Sequence, residues 1–165
     1  MGKRGNLLGQ PFIYIFTLIV SAFIIYFGFT SVSTIQKEAR LVELSRFIDE
    51  MNTVVDTYYN LEIGSGKKIS LPTPDGIDDV CFVKIGEKIN SDVDNYFREV
   101  LKTNTRYNVF ILPLDGLPSP APDFTIENLE IDGNENPLCI KTKGRLNAVI
   151  ETKVRNNHVY VEIRR

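Results

Sequence analysis

The sequence predicts an α+β protein. A long N-terminal transmembrane helix continues as an amphipathic helix packed on an antiparallel β-sheet, and one further short helix follows. Three observations predict this. An uncharged run, PFIYIFTLIVSAFIIYFGF, covers Pro11 to Phe29. A segment free of proline and glycine, Ser31 to Leu61, carries apolar residues at helical spacing. The remainder consists of short β-rich runs separated by turn residues. The chain therefore reads as four segments: a basic cytoplasmic N-terminal segment 1–10, a transmembrane helix 11–30, an amphipathic extension 31–63, and a β-rich extracytoplasmic domain 64–165.

The first element follows from length. Nineteen uncharged residues rise ~28 Å as an α-helix, close to the hydrocarbon thickness of a bilayer. Thr17 and Ser21 can each bond a carbonyl one turn back, so neither interrupts the apolar reading. A core helix of a soluble protein is the rival. The remaining chain is too small to cover such a helix on every side. Lys3 and Arg4 precede the span without an acid, whereas Lys37, Arg40 and Arg46 beyond it are mixed with Glu38 and Glu43. Basic residues stay on the cytoplasmic side, so the expected location is the cell membrane, single-pass, with the N-terminus cytoplasmic and residues 31–165 outside. A cleaved secretory signal remains the alternative, with a weak small-residue site after Phe29.

The second element is amphipathic. Leu41, Leu44, Ile48, Met51, Val55 and Tyr58 recur three or four residues apart, and Phe47, Val54 and Leu61 widen the stripe. Charged residues from Glu38 to Glu50 fill the other side, and Gly64-Ser65-Gly66 supplies a stop signal. Two uses of the stripe are open: packing on the protein's own sheet, or a coiled coil of about three heptads. A break in the helix near Gly28 to Ser33 is also open, because Gly28, Thr30, Ser31 and Ser33 are weak helix formers.

Strands are predicted at Lys68–Leu71 and Asp79–Ile85, separated by a Pro-Thr-Pro-Asp-Gly turn. Asn90–Thr103 reads as the second helix, capped by Ser91 and buried through Val93, Tyr96, Phe97, Val100 and Leu101. Tyr107–Leu112 is an apolar inner strand, and Pro113–Asp123, with four prolines, is a stiff exposed loop. Phe124–Ile131, Leu138–Lys143, Arg145–Val154 and Val159–Arg164 complete the strands. The last three read as a meander, turned at Lys143-Gly144 and Asn156-Asn157, whose final strand alternates Val159, Val161 and Ile163 with Tyr160, Glu162 and Arg164.

Function is constrained mainly by exclusion. The formal charge is −2 with acids and bases interspersed, so no basic stripe invites nucleic acid. His158 is the only histidine, and no set of acid, base and nucleophile emerges, so the chain does not read as an enzyme and no small-molecule substrate is evident. Gly64-Ser65-Gly66-Lys67-Lys68 lacks phosphate-loop spacing. Asp75, Asp78 and Asp79, and likewise the Asp132–Asn136 stretch, read as solvated turns without the ligand spacing of a calcium loop. No cofactor and no metal are expected. The paired Cys81 and Cys139 suggest one disulfide in an exported domain, with two buried thiols as the alternative.

A basic leader ending in Lys3-Arg4-Gly5, a long apolar helix with an amphipathic continuation, and a β domain with one cysteine pair form a layout that resembles type IV pilins and archaeal pilin-like surface proteins. That resemblance implies cleavage by a membrane peptidase between Gly5 and Asn6, and packing of the freed helix in a filament. The implied partners are the lipid bilayer, copies of the chain and a membrane assembly platform. The family often has glutamate at the fifth mature position, where this chain has Gln10. Thr17, Ser21 and Gly28 fall near one helical face, which would suit close helix packing; the alternative is that they merely dilute a lipid-facing helix. An uncleaved single-pass surface protein, whose outer domain is a binding or interaction module, is the second functional expectation.

Overall fold

The computed structural model describes residues 9–113, 123–133 and 135–165. Gly5, Asn6 and most of the proline-bearing loop lie outside the described residues. The chain divides into two units at the Ala39–Arg40 boundary, although one helix, α1 (Gly9–Tyr59), contributes to both.

In the first unit α1 is apolar around its circumference. Pro11 sits in the first turn, where a helix leaves its N–H groups without internal partners, so the missing donor does no harm. Side chains from Phe12 to Phe29 are exposed throughout, and Pro11–Val32 is long and apolar enough to cross a membrane. Thr17 Oγ1 donates to the carbonyls of Ile13 and Tyr14, and Ser21 Oγ to that of Thr17, which satisfies both hydroxyls within the helix. The helix does not break between Gly28 and Ser33.

In the second unit, two four-stranded sheets surround one core. With β1 (Gly66–Pro72), β2 (Asp79–Phe82), β3 (Val109–Leu112), β4 (Asp123–Phe124), β5 (Leu129–Ile131), β6 (Leu138–Lys141), β7 (Arg145–Arg155) and β8 (His158–Arg164), the orders are β1-β7-β8-β5 and β4-β3-β2-β6. Leu44, Phe47, Met51 and Val55 of α1 join that core with Ile69, Val80, Phe82, Ile111, Leu146, Ile150, Val161 and Ile163. Four such side chains are worth roughly 6–12 kcal/mol by burial, as an upper estimate. Thr152 Oγ1 of β7 donates to the Tyr58 carbonyl at 2.6 Å and so satisfies an acceptor in the last turn of α1.

The second sheet is covered on both faces. Val80 and Phe82 face the main core, while Cys81, Val83 and Phe110 meet Phe97 and Leu101 of α2 (Asn95–Thr103). This explains the uninterrupted apolar run Val80-Cys81-Phe82-Val83, since a strand buried on both sides has no wet face to alternate with.

Several sequence expectations require correction. The expected single antiparallel sheet is two sheets, and one pair, β5 with β8, is parallel. The expected strand Phe124–Ile131 is two strands in different sheets, separated by a turn in which Asn128 takes φ 59°. The last three strands form no meander: β6 pairs with β2, and the Lys143-Gly144 turn carries the chain from one sheet to the other. Asn156-Asn157 does close a hairpin between β7 and β8, with φ of 50° and 64° at its two residues, the signature of a type I′ turn. Ser91 is not the cap of α2. Its hydroxyl donates to the Pro137 carbonyl, and Asp94 caps instead by accepting from the Tyr96 N–H. Tyr96 lies on the outer side of α2, 67% exposed. In the stripe of α1, Phe47 is buried, whereas Ile48 and Tyr58 are half-buried and Leu41 and Leu61 are exposed. The apolar side is therefore rotated toward Phe47.

Candidate functional site

The sequence-predicted cysteines meet. Cys81 and Cys139 are register partners across β2 and β6, with Cα atoms 4.0 Å apart, and they are joined by a disulfide. Cys81 is fully buried among Phe97, Phe110 and Leu101. The bridge thus ties the edge strand β6 to the inner strand β2 of the second sheet, beside α2.

The other candidates remain apart. Gly28 belongs to the apolar part of α1, and a Cβ built there would meet nothing within 4 Å. His158 opens β8 as an exposed residue opposite Arg155. Asp75 and Asp78 are exposed and Asp79 half-buried at the start of β2. Among the described residues no three His, Cys, Asp or Glu side chains converge as a metal ion would require.

Two polar constructions are not legible in the sequence. The first is centred on Asn136, which is 2% exposed. Its Oδ1 accepts from the Lys84 N–H at 3.0 Å, and its Nδ2 donates to the carbonyls of Lys84 and Glu87 at 3.1 and 3.3 Å. Its own N–H donates to Asn90 Oδ1, and its carbonyl accepts from the N–H groups of Asn90 and Ser91. One side chain therefore does for residues 84–91 what a neighbouring strand would do, and it holds the segment that links β2 to α2 in one shape. Lys84 Nζ adds a bond to the Gly133 carbonyl at 2.9 Å. A stretch rich in Asp, Gly and Asn looks like a plain turn in sequence, because only the fold brings Lys84 and Asn136 together.

The second construction lies on the outer face of the first sheet. Glu151, Glu162 and Glu130 stand in one row across β7, β8 and β5. Three like charges abreast would repel, and bases offset them: Lys153 pairs with Glu162 and Glu151, Arg164 with Glu151 at 3.3 Å, and Arg155 with Glu130 at 2.8 Å. Arg155 also lies over the Tyr160 ring, 5.0 Å from its centroid. Tyr160 and Glu162 are consequently buried, 4% and 5% exposed, on a face the alternation assigned to water. The hydrogen bond to Glu162 is the main influence that raises the Lys153 ammonium above the ordinary lysine pKa. The charges of Glu162, Glu151 and Asp132 add to it, and burial opposes it.

What this chain offers chemically is thus an apolar helix, a disulfide-bridged domain, and polar surfaces on which no metal-binding cluster forms among the described residues. No protein family, no curated protein and no solved structure matches the chain.

Proposed function

We propose that the chain is a membrane-anchored, pilin-like structural subunit of a surface filament or pseudopilin-type assembly. One observation carries the reading. A single helix is apolar and exposed on all sides over Pro11–Val32, and it then supplies Leu44, Phe47, Met51 and Val55 to the core of a disulfide-bridged domain. An apolar helix whose continuation is part of the domain core suits a subunit that enters an assembly through its helix. The basic Lys3 and Arg4 before the span support a cytoplasmic N-terminus, and the disulfide supports an oxidising compartment for the domain.

A second reading is an uncleaved single-pass surface protein with an interaction domain. Gln10 favours it, because pilins often have glutamate at the corresponding position. N-terminal sequencing of the mature protein separates the two. A start at Asn6 supports a processed subunit, and a start at Met1 supports the uncleaved anchor. Protease added to intact cells tests both at once, since each requires the domain carrying Cys81 and Cys139 to be digested. Full protection of that domain refutes the orientation.

A further inference from the structure

We propose that the cleft between α2 and the segment 83–90 is a binding site for a phosphate-class oxyanion, held by Arg98 with Lys88 and Lys102. Lys84, Lys88, Arg98 and Lys102 line this cleft with Glu87 as the one acid. The chain as a whole carries a formal charge of −2, so the cleft is a local reversal of sign.

The guanidinium of Arg98 is the decisive group. It is half-buried, makes no ion pair or side-chain hydrogen bond among the described residues, and its Nε is fully buried without a partner. Buried donors are ordinarily satisfied, and this Nε, closed to solvent, meets an anion in the cleft once the half-buried side chain shifts. The fork of guanidinium N–H groups matches two oxygens of a phosphate, and an ionised acceptor is the strongest partner it can have. Lys102 is held only by Glu99, at 2.6 Å, in a pair whose side chains are 56% and 68% exposed. Such a surface pair is weak and yields readily to a buried anion. The Lys88 ammonium makes no ion pair among the described residues and adds the further charge that a doubly ionised phosphate prefers to a single carboxylate. The walls are preformed, because Asn136 fixes the backbone at Lys84 and Glu87 and α2 is seated on Phe110.

The test uses the full chain in maltoside micelles, which contain no phosphate. Inorganic phosphate and tripolyphosphate are titrated by calorimetry, while the Arg98 Nε–H resonance is followed by NMR. The expected result is saturable binding with a shift of that resonance. Arg98→Ala should weaken it about tenfold or more, the scale of a charged hydrogen bond. Arg98→Lys should lose affinity to a lesser degree, because it retains the charge and loses the fork. Lys88→Ala should lose severalfold and, as an exposed position, leaves the fold intact should Arg98→Ala disturb α2. Lys68→Ala on β1, remote from the cleft, should change nothing. Absence of saturable binding at about 10 mM of either anion overturns the proposal, as does an equal loss for Lys68→Ala and Arg98→Ala. Repeating the titration in phosphatidylglycerol nanodiscs identifies the source of the phosphate. An apparent affinity reduced by the lipid in the wild type alone assigns a headgroup, and an unchanged affinity assigns a free phosphate compound.

Discussion

Met51→Ala and Met51→Asp, set against Glu50→Ala, test whether the stripe of α1 is part of the domain core. Met51 is 0% exposed and shares a cluster with Phe47, Val55 and the inner faces of both sheets. Truncation to alanine removes the transfer energy of the side chain and leaves a cavity, for about 2–5 kcal/mol. At about 2.1 cal/mol/K of unfolding entropy per residue, a domain the size of residues 40–165 loses roughly 4 °C per kcal/mol, so the midpoint should fall by roughly 8–20 °C. Aspartate should fall further, because it adds a carboxyl with no partner in an apolar site. Glu50 is half-buried one position away and has no ion pair among the described residues; its replacement by alanine should cost no more than about 0.5 kcal/mol. Melts of the full chain in micelles should be followed by near-ultraviolet dichroism or tyrosine fluorescence. The apolar part of α1 is expected to stay helical in detergent and would mask the transition in the far ultraviolet. Equal and small effects at both positions would refute the packing and return the stripe to a coiled coil.

Three other perturbations probe the domain itself. Replacing both Cys81 and Cys139 with serine frees a loop with a sequence separation of 58, which should cost about 4 kcal/mol on the chain-entropy account; denaturant titration under non-reducing conditions checks this. Asn136→Ala leaves the N–H of Lys84 and the carbonyls of Lys84 and Glu87 without their partner. At about 1–3 kcal/mol for each buried group left unsatisfied, the amide of Lys84 should exchange hydrogen markedly faster, read by mass spectrometry or NMR. For Lys153, the folded pKa is raised above the unfolded value. Its contribution is therefore fully present below about pH 10.4 and is lost as the pH climbs through the folded pKa. Lys153→Met should remove that alkaline loss, and an unchanged stability profile above pH 10 would show that the pair with Glu162 carries no linkage.

Local pattern carried the helices and most strand positions, and it failed where tertiary pairing decided. The apolar segment of α1 and its stripe were legible because both are periodic in one dimension. The cysteine bridge was legible because an even pair of cysteines in a domain expected outside the cytoplasm suggests a disulfide. The partition into two sheets was not, because the Lys143-Gly144 turn looks in sequence like any hairpin turn. Only the pairing of β6 with β2 shows that the chain changes sheets there. The wet face of β8 was misread for a similar reason. Arg155 and Lys153 on β7 cover Tyr160 and Glu162, and alternation along one strand has no information about its neighbour's side chains. Asn136 was missed outright, since it acquires its role from residues far away in the chain.

The two parts of α1 meet opposite demands with the same backbone geometry. From Pro11 to Val32 every direction around the axis is apolar, which suits a surrounding without polar partners and gives no preferred side. From Leu44 to Val55 only one side is apolar, and it is the side turned to the sheets. The hydroxyls of Thr17 and Ser21 bond within the helix, as a lipid environment requires. The hydroxyl of Thr152, by contrast, reaches from β7 to the Tyr58 carbonyl, a tertiary bond at the far end of the same helix. Stability of the β domain therefore depends on the last turns of α1. A cut that removed α1 up to Tyr59 would take four core side chains with it. The last turns of α1 and the two sheets consequently belong to one folding problem, since the helix supplies core side chains that neither sheet replaces.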